Sequence, residues 1–151
     1  IHFFYKYSDK KIFKYNIIYM KTKKGSCICN AVQFVIELDD NAETLNCHCI
    51  DCRKATGGTF ISVIEFKLES LKIDKNKLDS FTHQGRSGKD LNRYFCKTCK
   101  APVYLYVEKY DENYIYAGLF DEIDDLKLSK NMNFKDSHFP FLDIKKESVK
   151  T

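Results

Sequence analysis

The run CHCIDCRKATGG, residues 47–58, sets Cys47, His48, Cys49 and Cys52 within its first six positions. Two further groups, Cys27 and Cys29 in GSCIC and Cys96 and Cys99 in FCKTC, bring the total to seven cysteines. Zinc is held tetrahedrally by thiolates, and two well-separated cysteine pairs are the usual way to supply four of them. Joining Cys27 and Cys29 to Cys96 and Cys99 gives a closed four-thiolate site that staples the first strand to a hairpin far downstream. Cys47, Cys49 and Cys52 then remain. Three protein ligands with one position left open is the arrangement of a catalytic zinc. Spacing alone leaves other partitions of the seven thiols open.

His48 competes for the open position. On an extended segment Cys47 and Cys49 share one face and His48 turns to the other, so His48 is expected outside the ligand set. His2, His83 and His138 lie in the leader or in polar sequence and are expected at the surface. Tyr94, Tyr104 and Tyr106 are expected as core or sheet-face aromatics. Arg53 and Lys54 directly follow the central cluster. A zinc ion with three thiolates carries a net charge of about −1, so two adjacent cations would offset it and attract an anionic substrate. A plain surface pair explains them equally well. Disulfides do not: the cysteine count is odd, and Cys27–Cys29 and Cys47–Cys49 are too close in sequence for unstrained bridges.

The elements that must carry these residues read as β. AVQFVIEL (31–38) puts Val32, Phe34, Ile36 and Leu38 on one face of a half-buried strand. TFISVIEF (59–66), APVYLYVEKY (101–110) and NYIYAGLF (113–120) are rich in β-branched and aromatic residues. GRSGKD (85–90) is a loop, and only a short turn is expected after Cys52 through RKAT. One β-rich domain with cysteine pairs at strand ends is the result, and 151 residues at 44% hydrophobic suffice for a single core. Residues 1–24 hold seven lysines and one aspartate, whereas the remainder is near neutral. No basic stripe runs through the body, which argues against nucleic acid as partner. Residues 1–19, ahead of Met20, are expected to be an extension outside the fold, with residues 20–151 forming the domain. There is no apolar run long enough for a membrane span and no secretory signal pattern. Unpaired thiols fit a reducing, cytoplasmic location.

GSCICNAVQFVIEL, CHCIDCRKATGG, RYFCKTC and AGLFDE together resemble the glutathione-dependent formaldehyde-activating enzymes, a family that includes centromere protein V. The likeness spans about residues 25–144. It implies a mainly β, β-tent fold with two zinc ions per chain. Carried over position by position, Cys27, Cys29, Cys96 and Cys99 would hold a structural zinc, and Cys47, Cys49 and Cys52 a catalytic one. The implied activity is that of a carbon–sulfur lyase on a thiol–aldehyde adduct such as S-hydroxymethylglutathione, with a small thiol and an aldehyde as partners. The sequence departs from the family at three places. Lys100 stands where glycine is usual after the last pair. Asn131 and Asn133 lie near the place of a C-terminal histidine, with His138 displaced from it. Phe141 stands where tryptophan is usual.

Three other functions compete. A zinc-stabilised binding module for a protein partner would use the same scaffold without catalysis; only its chromosomal or microtubule version is disfavoured, because the basic, proline-rich arm suited to that role is missing. A methionine sulfoxide reductase needs a free cysteine nucleophile, and zinc claims all seven. A zinc deaminase needs H-x-E followed by P-C-x-x-C, which is not present.

Overall fold

The computed structural model describes residues 19–86, 88–132 and 138–142. Its strands are β1 (Met20–Ser26), β2 (Gln33–Asp39), β3 (Thr44–Cys47), β4 (Ile61–Phe66) and β5 (Leu71–Ile73). They continue with β6 (Leu78–Gln84), β7 (Asp90–Cys96), β8 (Pro102–Val107), β9 (Glu112–Tyr116) and β10 (Leu128–Met132). The helix α1 (Ile50–Thr56) lies between β3 and β4. The mainly β expectation holds, and the four segments expected as strands became β2, β4, β8 and β9. The last is shorter than expected, because the chain leaves it through a 3-10 turn at Ala117–Leu119.

Two sheets form. The smaller has the order β1-β2-β5, and the larger runs β10-β3-β4-β9-β8-β7-β6. Pairing is antiparallel throughout except for β10, which lies parallel to β3. In β2 the alternation read from sequence is realised: Phe34, Ile36 and Leu38 are buried while Gln33, Glu37 and Asp39 are exposed. β1 carries lysines and no apolar alternation, so its own pattern does not announce a strand. Full pairing with β2, from Met20 opposite Asp39 to Ser26 opposite Gln33, imposes the conformation.

The large sheet buries both faces. Along β9, Ile115 enters a core with Phe34, Ile36, Phe66 and Val103, whereas Tyr114 and Tyr116 enter another with Leu45, Ile61, Val63 and Leu105. The period-two alternation of a strand sends neighbouring residues to these opposite sides. Cys27 and Cys96 are buried in the first core with Cys99 against it; Cys52 is in the second, with Cys47 and Cys49 against it. The two cysteine groups are thereby separated by the sheet.

β1 is joined to the segment that follows β9 at Gly25, which forms an isolated bridge with Phe120. Beside it, Asp121 N–H donates to Lys24 carbonyl at 3.1 Å. The buried Lys23 ammonium reaches Asp125 at 2.5 Å and the Glu122 carbonyl at 2.9 Å, fixing the chain beyond the bridge. Of the expected extension, residues 1–18 lie outside the described residues. Tyr19 carbonyl accepts from Asp40 N–H at 2.8 Å, extending the β1–β2 pairing by one residue.

A Cβ on Gly25 would stand 2.3 Å from the Leu119 carbonyl oxygen and 2.5 Å from the Phe34 ring. Backbone and ring would both have to give. Gly25→Ala should therefore lower the unfolding free energy by about 1–3 kcal/mol, read by chemical denaturation; an unchanged midpoint would contradict the close approach.

Candidate metal centres

The four-cysteine group is built from two similar turns. After β1, Asn30 N–H donates to Cys27 carbonyl at 2.8 Å, and Val32 N–H donates to the Cys27 sulfur at 3.3 Å. After β7, Lys100 N–H donates to Cys96 carbonyl at 3.0 Å, and Thr98 N–H donates to the Cys96 sulfur at 3.3 Å. Each turn closes on a left-handed residue, Asn30 at φ 57° and Lys100 at φ 60°. Asparagine visits that region readily, but lysine does so at a cost. The backbone N–H groups of Cys99 and Thr98 aimed at Cys96 bring its thiol down to about 6.

All four sulfurs lie within 4.8 Å of one another. Cys27 and Cys29 are 3.4 Å apart, and Cys29 and Cys96 are 3.8 Å apart. Sulfurs around a tetrahedral zinc, with Zn–S about 2.3 Å, stand about 3.8 Å apart. The donor set could hold one such ion with no further ligand.

Cys47, Cys49 and Cys52 form a second group within the same limit. Cys47 ends β3. Cys49 is the N-cap of α1, its sulfur accepting from Cys52 N–H at 3.4 Å. Cys52 projects from the helix's first turn. The helix extends on both sides of Cys52, further than the turn expected through RKAT. Asp51 favours its N-terminus, and Gly57 closes it at φ 70°, donating to Arg53 carbonyl. Bonds from Cys47 and Cys52 hold the Cys49 thiol down to about 2. Bonds with Cys47 and Cys49 push Cys52 strongly up, and Cys47 is raised chiefly by its bond with Cys49. Three adjacent sulfurs share protons in this way when no cation separates them. A metal ion removes that conflict, and this donor set fits zinc with one position open.

His48 is fully buried and outside this group. Its Nε2 meets Asn131 Oδ1 at 3.0 Å, its backbone N–H donates to Met132 carbonyl, and its ring packs 4.9 Å from Phe60. Asn131 Oδ1 also accepts from Asn46 at 3.3 Å, and Asn46 Oδ1 accepts from Ser62 at 2.7 Å. This chain of bonds crosses β10, β3 and β4 and fixes the backbone from which Cys47 and Cys49 project. Asn131, one of the family departures, thus has a structural place. Asn133 lies outside the described residues. Phe141 is 71% exposed and packs on Phe139.

The expected cations stand differently. Lys54 is exposed, and the Arg53 guanidinium lies over the Phe139 ring at 4.7 Å. Neither side chain bonds a cysteine sulfur among the described residues. The cation that does is Arg93 on β7, which sequence reasoning missed. It is 7% exposed, and its Nη2 donates to Cys52 sulfur at 3.8 Å. Nη1 donates to the Tyr116 hydroxyl at 3.0 Å and Nε to His83 Nε2 at 3.2 Å. Burial pulls the Arg93 pKa down, but Tyr116 and Cys52 more than reverse this. His83, expected at the surface, is half-buried against it. The available signal was RYFC itself, where Arg93 and Cys96 fall on opposite parities of one strand. Tyr94 and Tyr104 stack at 4.2 Å as sheet-face aromatics, and Tyr106 bonds Asp111.

A cavity of about 740 Å³ lies among Glu37, Leu45, Glu65, Glu112 and Tyr114, and no cysteine lines it. The donor set, rather than cavity size, locates the chemistry.

The model of the family described as glutathione-dependent formaldehyde-activating enzyme matches residues 22–136. A crystal structure of a Rhodobacter sphaeroides protein, a structural-genomics target, is similar with a TM-score of 0.54 at 22% identity. The alignment covers 67% of this chain and 90% of that one, and it shows a shared fold. No curated protein matches the sequence significantly.

Two predictions follow from the geometry. Lys100→Gly relieves a left-handed lysine, a strain of about 1–2 kcal/mol, and gives up the exposed Lys100–Asp79 ion pair at 3.0 Å. Such pairs contribute about 0–1 kcal/mol, so the variant should melt at a higher temperature than the parent. Cys96→Ser should sharply lower the melting temperature, whereas Cys49→Ser should keep the fold and lose one metal equivalent. Equal melting of the two cysteine variants would show that the groups do not differ in role.

Proposed function

The chain belongs to the glutathione-dependent formaldehyde-activating enzyme family, and on that premise we propose that it is a zinc-dependent carbon–sulfur lyase. Its substrate class is the adduct of a small thiol and an aldehyde, S-hydroxymethylglutathione being the family's example. The observation that carries this reading is the convergence of Cys47, Cys49 and Cys52 at the mouth of α1, apart from the four-cysteine group. Cys27, Cys29, Cys96 and Cys99 take the role of a structural zinc site in this reading, and the other three that of a catalytic one.

A zinc ion bound by the three thiolates would supply Lewis acidity, lowering the pKa of a thiol or polarising an aldehyde oxygen. The protein's part is positioning. Cys49 is fixed by the α1 N–H groups, Cys47 by the β3–β4 pairing, and the intervening His48 by Asn131. In the synthetic direction a thiolate sulfur bonds to the carbonyl carbon and the carbon–oxygen π pair moves to oxygen. The oxygen then takes a proton equivalent to the one the thiol gave up. The reverse step breaks the same carbon–sulfur bond, so no oxidant or reductant is needed. Arg53 and Lys54 remain candidates for contact with an anionic substrate at the helix's outer side.

Exchange between formaldehyde, glutathione and their adduct should run faster with the zinc-loaded protein than without it, measured by magnetisation transfer at equilibrium. Cys49→Ser should return the rate to the uncatalysed value. No acceleration with glutathione or with other small thiols would overturn the lyase reading.

A further inference from the structure

Among the described residues, Arg93 is a buried cation without a carboxylate partner. The ion pairs among the described residues join Lys21 and Lys23 to Asp125 and Lys100 to Asp79, and none includes Arg93. Its three contacts are the neutral acceptors His83 Nε2 and Tyr116 hydroxyl and the sulfur of Cys52. His83 Nδ1 faces the Gln84 carbonyl at 3.2 Å, so the ring is most simply assigned as the Nδ1–H tautomer, which leaves Nε2 as acceptor. A guanidinium shut away from water must meet negative charge or bear a large desolvation cost. The charge within its reach is that of the cysteine group.

We propose that Arg93 is the counter-charge of the three-thiolate centre, held against Cys52 by Tyr116 and His83, and that it lets the open metal position accept an anionic sulfur. This rests on the metal-binding part of the function proposed above. A divalent ion with three thiolates has a net charge of −1; Arg93 makes the assembly neutral. Entry of a fourth thiolate then leaves −1 in place of −2, in a site where Cys52 is only 5% exposed. A neutral ligand changes the charge in neither case. Arg93 therefore biases the centre toward thiolates over neutral nitrogen or oxygen ligands of similar size. It acts through Cys52 and is a positioning residue.

Two arrangements support a purpose-built contact. The guanidinium is fixed at all three of its nitrogens, which a lysine could not reproduce. Its strand is tied at Cys96 to the four-cysteine group on the sheet's other face, so the height of Arg93 along β7 is set by that staple.

The test uses the full chain loaded with cobalt(II), with Arg93→Met, Arg93→Lys and Tyr116→Phe. Removing a donor from a metal-bound thiolate makes its sulfur a better electron donor. The sulfur-to-cobalt charge-transfer band of the three-thiolate centre should thus move to longer wavelength in Arg93→Met, and less far in Tyr116→Phe. Titration with 2-mercaptoethanol should show thiolate binding weakened about tenfold in Arg93→Met, equal to about 1.4 kcal/mol. Imidazole binding should change less than twofold, and Arg93→Lys should recover part of the thiolate affinity. A band at the parental position in Arg93→Met, or equal losses for thiolate and imidazole, overturns the proposal. If Arg93→Met does not fold, the other two variants carry the same decision, and parental spectra in both overturn it. A shifted band with no acceleration of adduct exchange supports the Arg93 contact and sinks the lyase reading alone.

Discussion

Ionised sulfurs brought together repel one another, and this fold gathers seven cysteines into groups of four and three. Two thiolates about 3.8 Å apart at an effective dielectric constant of about 20 repel by about 4 kcal/mol. Groups of three and four cannot persist as bare anions at that cost. Where no cation is present the thiols share protons, which splits their acidities as seen between Cys49 and Cys52. A metal ion removes the repulsion and converts each group into a cross-link. The backbone is prepared for this by N–H groups aimed at Cys27, Cys49 and Cys96.

The cysteine partition was legible because it depends on ligand count and sequence separation, which composition and spacing express directly. β2 was legible for a similar reason: one buried face gives a strict alternation. β1, β3, β6 and β7 were not, since their residues are polar or mixed. Strands such as DLNRYFC bury one residue to each side of the sheet, so hydrophobicity does not alternate. Their conformation comes from partners, not from their own pattern. Arg53 and Lys54 drew attention by adjacency in the chain, yet the cation on Cys52 comes from β7, 41 residues away. Such a contact is set by strand order and cannot be read from local sequence.

The departures from the family pattern have unequal consequences. Lys100 retains the backbone shape that glycine would adopt, so the turn survives the substitution at an energetic cost. Asn131 is absorbed into a buried polar chain linking three strands, where each bond compensates the desolvation of its neighbours. Phe141, by contrast, is turned to solvent, while Arg53 lies over the ring of Phe139. The cysteine groups and their supports are therefore kept more closely than the C-terminal surroundings.

The four-cysteine group draws on both sides of the chain segment that contains the other three. During synthesis Cys27 and Cys29 emerge first, and Cys47, Cys49 and Cys52 reach the solvent before Cys96 and Cys99 exist as partners. For that interval the nascent chain offers five equivalent thiols to any ion, and an early metal is free to choose the wrong set. Only when β7 joins the sheet are the groups partitioned, because the sheet itself then stands between them. On the proposed reading, metal loading would thus be a sorting problem solved by strand pairing, with the last cysteines to be made deciding how the first are used.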